Sequence, residues 1–532
     1  MGKSPEVEAG ASKRLTLLTP LEHGGTPWHR RPLWGFVLCF LATVIGALTG
    51  FLGPSVVTLQ LGPRQNLLPP WYLPVDLDNP PNEWLVVVMA GTAVVLGTLG
   101  AIVWLRALQR DWQPNILRMG LFCAGMIVAV SLVPPMTSAD SLMYAAYGRI
   151  RLIGMDPYSI TPAEVFRQQW DPIVRWSERP WQDTPSVYGP VLMGSMWLAN
   201  RLAGSNMHDV IFWFQMQALI GMLVCVFGML WIAKGNSKAQ ARVLAVTSCQ
   251  PIVWAVVAGA HNEAVIMAFI VLALAMTRRS SILTGVLVGL ATAGKATAGI
   301  YGLALIWAYR RDPRKLIGFL VGSGVPVGLA YLVLYPKALE LAIQNSGYLA
   351  GNVWAKPLAA MFDPILTAER SQSLLSLVAW ALTFAVGWMI SRTLPWKAAP
   401  GLPEGADPRR DPLTIACRTA VTVSSAWILT SLYSLPWYDL LTFVPLAFVG
   451  ASMLDWAVLA HAGMLNLTYV PGRVVLYGDV LRNWAIRGRE VFAATGSALI
   501  LAALILWWYR QGERRGSLTR APEPENVREV TA

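Results

Sequence analysis

Four short polar stretches in an otherwise apolar chain hold residue types from which a reaction could be built. In VVAGAHNEAVIMAF, residues 256–269, His261, Asn262 and Glu263 place an imidazole, an amide and a carboxylate in succession. In MTSADSLMYAAYGR, Asp140 follows closely on Pro134 and Pro135. In GLATAGKATAG, Lys295 stands alone behind Gly294, and in SLPWYDLL, Trp437 and Tyr438 precede Asp439. A positioned carboxylate, imidazole and amine can serve proton transfer or hold an anion. In membrane-grade sequence such groups are costly, which makes them functional candidates by default.

Each candidate also has a plain structural role. Asp140 or Ser138 could cap a helix beginning at Ser141; alternatively Asp140 is a general base whose pKa is raised by its surroundings. Asp156, in GMDPYS, has the composition of a turn but could also touch a sugar. Arg149 and Arg151 could bind a phosphate bidentately or contact lipid headgroups. His261 either ends a helix or donates to a phosphate oxygen. Asn262 and Glu263 could bind an acceptor hydroxyl, and Glu263 could instead orient a neighbouring cation. Lys295 is a phosphate ligand or a lysine that snorkels to the membrane surface. Trp437 and Tyr438 belong to an interfacial aromatic belt or form a platform for a sugar or lipid.

The elements that position these groups follow from composition. The chain is 55% hydrophobic and 14% charged, with a mean hydropathy of +0.47, whereas soluble domains carry about 25% charged residues. Leu33–Leu52, Trp84–Leu105, Val210–Ile232 and Phe492–Trp508 each approach the length needed to cross a bilayer. This implies an all-α, polytopic membrane protein of about 12–14 transmembrane helices. Ten-residue alternation, the mark of a membrane β-barrel, is not the pattern here. The net charge of +12 sits largely in arginines flanking apolar runs, as the positive-inside rule requires, and does not argue for nucleic acid. The five cysteines are scattered singly, without metal-ligand or disulfide spacing. No phosphate-binding loop argues for a nucleotide-driven pump. Residues 1–32 and 510–532 read as polar cytoplasmic tails around one transmembrane domain, 33–509, with no cleavable signal sequence. Its main extracytoplasmic loop, 136–209, includes YGPVLMGSMWLANRL as an interfacial helix.

Topology brings the polar stretches to one end. Arg242 to Arg278 is long enough for two crossings, so the turn between them falls at His261–Glu263. Ile282–Tyr309, bracketed by arginines, is either one crossing or a hairpin with Gly294–Lys295 at its apex. Arg418 to Asp455 places the PWYD stretch near another turn on the same side. Asp140, His261–Glu263, Lys295 and Trp437–Tyr438 are thereby expected together at the outer membrane surface.

The stretches SADSLMYAAYGRIRLIGMDPY, VYGPVLM, AGAHNEAVIMAF, GVLVGLATAGKATAGI and SLPWYDLLTFVPLAF resemble, in order and over about residues 140–450, the actinobacterial polyprenol-phosphate-mannose-dependent α-(1→6)-mannosyltransferases. That family belongs to the multi-pass GT-C class. The resemblance implies an inverting enzyme that moves mannose from polyprenyl-phosphate mannose to a lipid-linked, lipomannan-type acceptor at the outer face of the plasma membrane. It implies Asp140 as the base and Lys295, His261 and Arg149 or Arg151 as phosphate ligands. It matches Trp437 and Tyr438 to the family's PWY. Glu263 stands where the family usually has Asp, and Ala296 where Pro often follows the lysine. No cofactor is required, a divalent metal is not excluded, and a monomer is expected. Competing readings are transfer of another lipid-linked sugar, such as arabinofuranose, and a carrier or flippase that performs no chemistry.

Overall fold

The computed structural model describes residues 31–73, 80–178, 181–344, 348–472 and 478–519. The two expected tails lie largely outside the described residues, as does part of the loop between the first two helices. Among the described residues the elements are helical, apart from an isolated bridge between Thr58 and Met136.

The chain begins with α1 (Pro32–Phe51) and α2 (Glu83–Leu108), then α3 (Ile116–Ser131), α4 (Asp140–Leu152), α5 (Pro162–Gln168) and α6 (Pro190–Ala203). Next come α7 (Met207–Ile232), α8 (Ser237–Thr247) and α9 (Gln250–Ile252), the last running into a π-helical segment, Val253–Ala258. α10 (Glu263–Met276), α11 (Ser281–Gly294), α12 (Gly299–Tyr309) and α13 (Pro313–Gly328) follow. The remainder is α14 (Pro336–Gln344), α15 (Lys356–Phe362), α16 (Ala368–Thr393), α17 (Pro412–Thr430), α18 (Leu440–Leu446), α19 (Met453–Thr468) and α20 (Asp479–Thr519).

Local sequence explains many of the starts. Asn82, Asn115, Asn206, Asn236, Ser280, Asp312, Thr367 and Asp411 each accept a backbone N–H at the head of the helix they precede. These side chains satisfy donors that a helix leaves open at its N-terminus. Apolar composition then sets the environment. Among the described residues, 7 helices are long and apolar enough to cross a membrane, and 8 if the segments 237–247 and 250–258, bent by 44°, form one span. The protein is therefore a polytopic helical membrane protein. Four shorter apolar helices, Ile116–Ser131, Glu263–Met276, Ser281–Gly294 and Ala296–Tyr309, fall below that length, so the described residues hold 7 or 8 such spans where about 12–14 are expected from the sequence. Side chains such as Val88, Leu117, Leu377 and Phe384 remain exposed, a surface suited to lipid rather than water.

Packing fixes the direction of the helices around the site. α7 and α10 run the same way, with Gly221 against Ala264 and Gly228 against Val271. The broken span between them therefore returns in the opposite sense and ends at the His261 turn. α11 and α12 form the hairpin alternative: the Tyr309 hydroxyl donates to the Thr277 carbonyl at 2.7 Å, while Lys295, at the opposite end, reaches Glu263. The far end of the bundle is tied by buried or half-buried ion pairs. Arg242 forks onto Asp455 at 2.7 and 3.3 Å, and Arg278 onto Asp411 at 2.8 Å for both bonds.

Candidate active site

Asp140 is the first residue of α4, directly after an irregular segment pinned by backbone bonds. Leu59 N–H donates to the Pro135 carbonyl (3.0 Å), Thr137 N–H to Val57 (2.9 Å) and Met136 N–H to Ala258 (2.9 Å). The last bond ties this segment to the π-helical turn that carries His261. The capping alternative for Asp140 fails. Ser138 Oγ accepts the Asp140 N–H at 3.1 Å, while the Asp140 carboxylate Oδ2 accepts the Tyr144 hydroxyl at 3.5 Å. The carboxylate thus faces the cleft, with 22% of the side chain exposed. Removal from bulk water pushes its pKa up to about 6; Lys295 opposes the rise and Glu263 adds to it.

His261 is held by local geometry. Its N–H donates to the Val256 carbonyl at 2.9 Å, and Ala260 before it takes a left-handed φ of 53°. A Cβ at Gly259 would stand 2.5 Å from the imidazole, so the ring needs glycine there. The imidazole stacks on Trp437 with centroids 3.6 Å apart and planes 17° from parallel. Its Nδ1 lies 3.3 Å from the Tyr144 hydroxyl and 3.7 Å from Asp140 Oδ2. Burial, assisted by the nearby Lys295 charge, holds the pKa of His261 well below the usual value. The ring is neutral, so it can offer a hydrogen bond to a phosphate but no charge.

Lys295 occupies an extended residue between α11 and the short 3-10 turn Ala296–Ala298. It does not snorkel. Its ammonium pairs with Glu263 Oε1 and lies over the rings of Tyr438 (4.7 Å) and Tyr188 (5.6 Å). The apex is fastened to α6 by a bond from Gly189 N–H to the Gly294 carbonyl at 2.9 Å. Glu263 is committed to Lys295 through Oε1, and its Oε2 is buried without a partner. His261 Nε2 and both amide atoms of Asn262 are likewise buried and unpartnered. Buried polar atoms are normally satisfied, so this turn holds an unusual reserve of hydrogen-bonding capacity. Asn262, His261 and Tyr144 line a pocket of about 10 Å³.

The structure brings together Asp140, His261, Asn262, Glu263, Lys295, Trp437 and Tyr438, and leaves out three other candidates. Arg149 is bound to Asp171 at 2.7 Å and Arg151 lies over Tyr335. On α4, Arg149 stands about 13 Å along the axis from Asp140. Both arginines are thus engaged with groups other than those of the cleft. Asp156 is a turn residue: its carboxylate accepts Tyr158 N–H at 3.1 Å and the Ser159 hydroxyl at 2.5 Å. The open platform expected of Trp437 also fails, because the side chain is 3% exposed and one face is taken by His261. Trp437 is a wall of the cleft.

Sequence reasoning passed over Tyr144, Tyr188, Tyr469 and the Asp439–His461 pair. Tyr144 was legible, being four residues after Asp140 on one helix face. Asp439 is fully buried and bonded to His461 Nδ1 at 3.1 Å, which secures the PWY turn from α19. No group of three or more His, Cys, Asp and Glu side chains has metal-holding geometry among the described residues.

A model of the family described as "alpha-(1->6)-mannopyranosyltransferase, N-terminal domain" matches residues 44–311. A probable alpha-(1->6)-mannopyranosyltransferase of Mycolicibacterium smegmatis is 24% identical over 65% of this chain and 58% of its own length. Alpha-(1->6)-mannopyranosyltransferase A of Mycobacterium tuberculosis is 25% identical over 41% and 44%. Alpha-(1->6)-mannopyranosyltransferase B of Corynebacterium glutamicum is 21% identical over 49% and 46%. The chain spans about half the length of the curated relatives it matches. No solved structure matches it.

Proposed function

The chain belongs to the alpha-(1->6)-mannopyranosyltransferase family, and from that membership and the cleft we propose that it transfers mannose from polyprenyl-phosphate mannose to a lipid-linked mannan. The transfer takes place at the extracytoplasmic face of the plasma membrane. The observation that carries this reading is the Asp140 carboxylate: uncapped, facing the cleft, and raised to about 6 beside a buried Lys295–Glu263 pair. A base working near neutral pH needs a pKa in that region.

In the reaction the acceptor hydroxyl oxygen forms a bond to the anomeric carbon as the bond from that carbon to the phosphate oxygen breaks. The hydroxyl proton passes to Asp140, and the electron pair leaves with the polyprenyl phosphate. A single displacement on a β-linked donor gives the α product without a covalent enzyme intermediate. Lys295 stabilises charge on the departing phosphate, while Glu263 holds the ammonium in place. His261, neutral and stacked on Trp437, offers a hydrogen bond. The leaving group is already a stable anion, so no general acid is needed.

Asp140→Asn tests the reading. It preserves size and removes the base, so mannose transfer in reconstituted membranes should fall by about 100-fold or more while donor binding persists. Transfer at the wild-type rate would exclude Asp140 as the base. Movement of the lipid-linked sugar across the bilayer without transfer would support a carrier instead.

A further inference from the structure

A phosphate entering this cleft meets too little positive charge. Lys295 is already paired with Glu263, Asp140 adds a second carboxylate, and His261 is neutral. Arg149 belongs to Asp171. A cation of a different kind is Arg489, inside the apolar α20, where an ionisable side chain is a functional candidate by default. Its guanidinium donates to the Pro471 carbonyl and lies 5.8 Å from the centre of the Tyr469 ring. Its Nε is buried without a partner. No carboxylate forms an ion pair with it among the described residues.

Arg489 lines a crevice of about 410 Å³ between α2, α19 and α20, whose walls include Val88, Leu467, Trp484 and Phe492. Val88 and Phe492 are 61% and 48% exposed, so the crevice opens sideways on the lipid-facing surface. At its inner end the rings run on to the cleft: Tyr469 packs edge-on against Trp437 at 5.3 Å, and Trp437 stacks on His261. Burial raises the Tyr469 pKa, with Asp140 adding to the rise and Arg489 opposing it, so one hydroxyl senses both groups.

We propose that this crevice is the docking groove for the donor lipid, with the prenyl chain against α2 and α20 and Arg489 drawing the phosphate inward toward Lys295 of the cleft. The inference rests on the lipid-phosphate donor of the proposed function. It follows from complementarity: an apolar crevice open to the bilayer, a cation in it with no carboxylate partner among the described residues, and a run of packed rings to His261. The occupant is a polyprenyl phosphate rather than a bulk phospholipid, because Tyr469 and Trp437 join the inner end of the groove to the wall of the cleft.

Gly91 and Gly488 offer a direct test, since both line the crevice and a Cβ on either meets nothing within 4 Å. Gly91→Leu and Gly488→Leu therefore start from open space and extend into the groove. The full chain is placed in phosphatidylcholine nanodiscs. Binding of a sugar-free polyprenyl phosphate is measured alongside the KM for polyprenyl-phosphate mannose. Arg489→Gln and either leucine variant should weaken binding and raise KM by about tenfold or more, with an unchanged thermal midpoint. Arg489→Lys should recover part of the loss. Wild-type binding and KM in all three variants would overturn the groove while leaving the transferase reading intact. Wild-type protein that binds polyprenyl phosphate in an Arg489-dependent way but transfers no mannose would keep the groove and remove the transferase reading. Equal displacement by phosphatidylglycerol would overturn the assignment to a polyprenyl phosphate.

Discussion

At the scale of the residue, the cleft sets one carboxylate apart from the other. Glu263 is paired with Lys295, whereas Asp140 is desolvated and only weakly bonded, which raises its pKa to about 6. The proposed base must be ionised to accept a proton, so transfer should rise with pH through about 6 and level off above it. A kcat/KM profile across that range checks this; activity that is flat between about pH 5 and 7 would deny Asp140 the role. The Lys295–Glu263 pair makes a second prediction. Lys295→Met leaves a carboxylate buried at 3% exposure without its partner, which typically costs about 3–5 kcal/mol. Adding Glu263→Leu to Lys295→Met should recover much of the lost thermal stability but none of the transfer. Recovery of both would make the pair merely structural.

At the scale of the element, the site depends on two turns whose backbones leave little latitude. Gly189 approaches the Lys295 hairpin so closely that a Cβ would fall 2.2 Å from the Ala293 carbonyl and 2.4 Å from the Tyr331 hydroxyl. Gly189→Ala must push the apex away from α6, at a cost of about 1–3 kcal/mol, and should lower transfer by displacing Lys295. Near-normal kcat in that variant would show that the apex tolerates displacement. These turns also mark how far the sequence was legible. His261–Glu263 was identifiable as a turn because apolar lengths and flanking arginines are one-dimensional quantities. So was the hairpin option at Lys295. The fate of Arg149 was not, because its partner Asp171 lies 22 positions away and nothing local announces the pair. The burial of Trp437 was hidden for the same reason: a tryptophan at a membrane interface and one stacked on a histidine have the same sequence neighbours. The Arg242–Asp455 pair, 213 positions apart, is the extreme case.

At the scale of the whole molecule, charge and direction decide which side of the membrane the chemistry faces. α7 spans 26 residues, about 39 Å at helical rise, and separates two ends of different character. The described residues of the segment 149–204 lie at the end that carries the cleft. Arg278, Arg279, Arg310 and Arg311 stand at the other, on short turns where the positive-inside rule has most force. The arginines of the long segment weigh less, because long loops translocate largely regardless of charge. The proposed orientation therefore has the cleft outside and the arginine turns in the cytoplasm. Single-cysteine labelling tests it cleanly, because all five native cysteines are buried. Gln169 and Arg311 are exposed, one at each end. In intact cells Gln169→Cys should react with an impermeant maleimide, and Arg311→Cys only after permeabilisation. The reverse pattern would turn the molecule over. The cleft would then face the cytoplasm, and an extracytoplasmic lipid-phosphate donor could not reach Asp140.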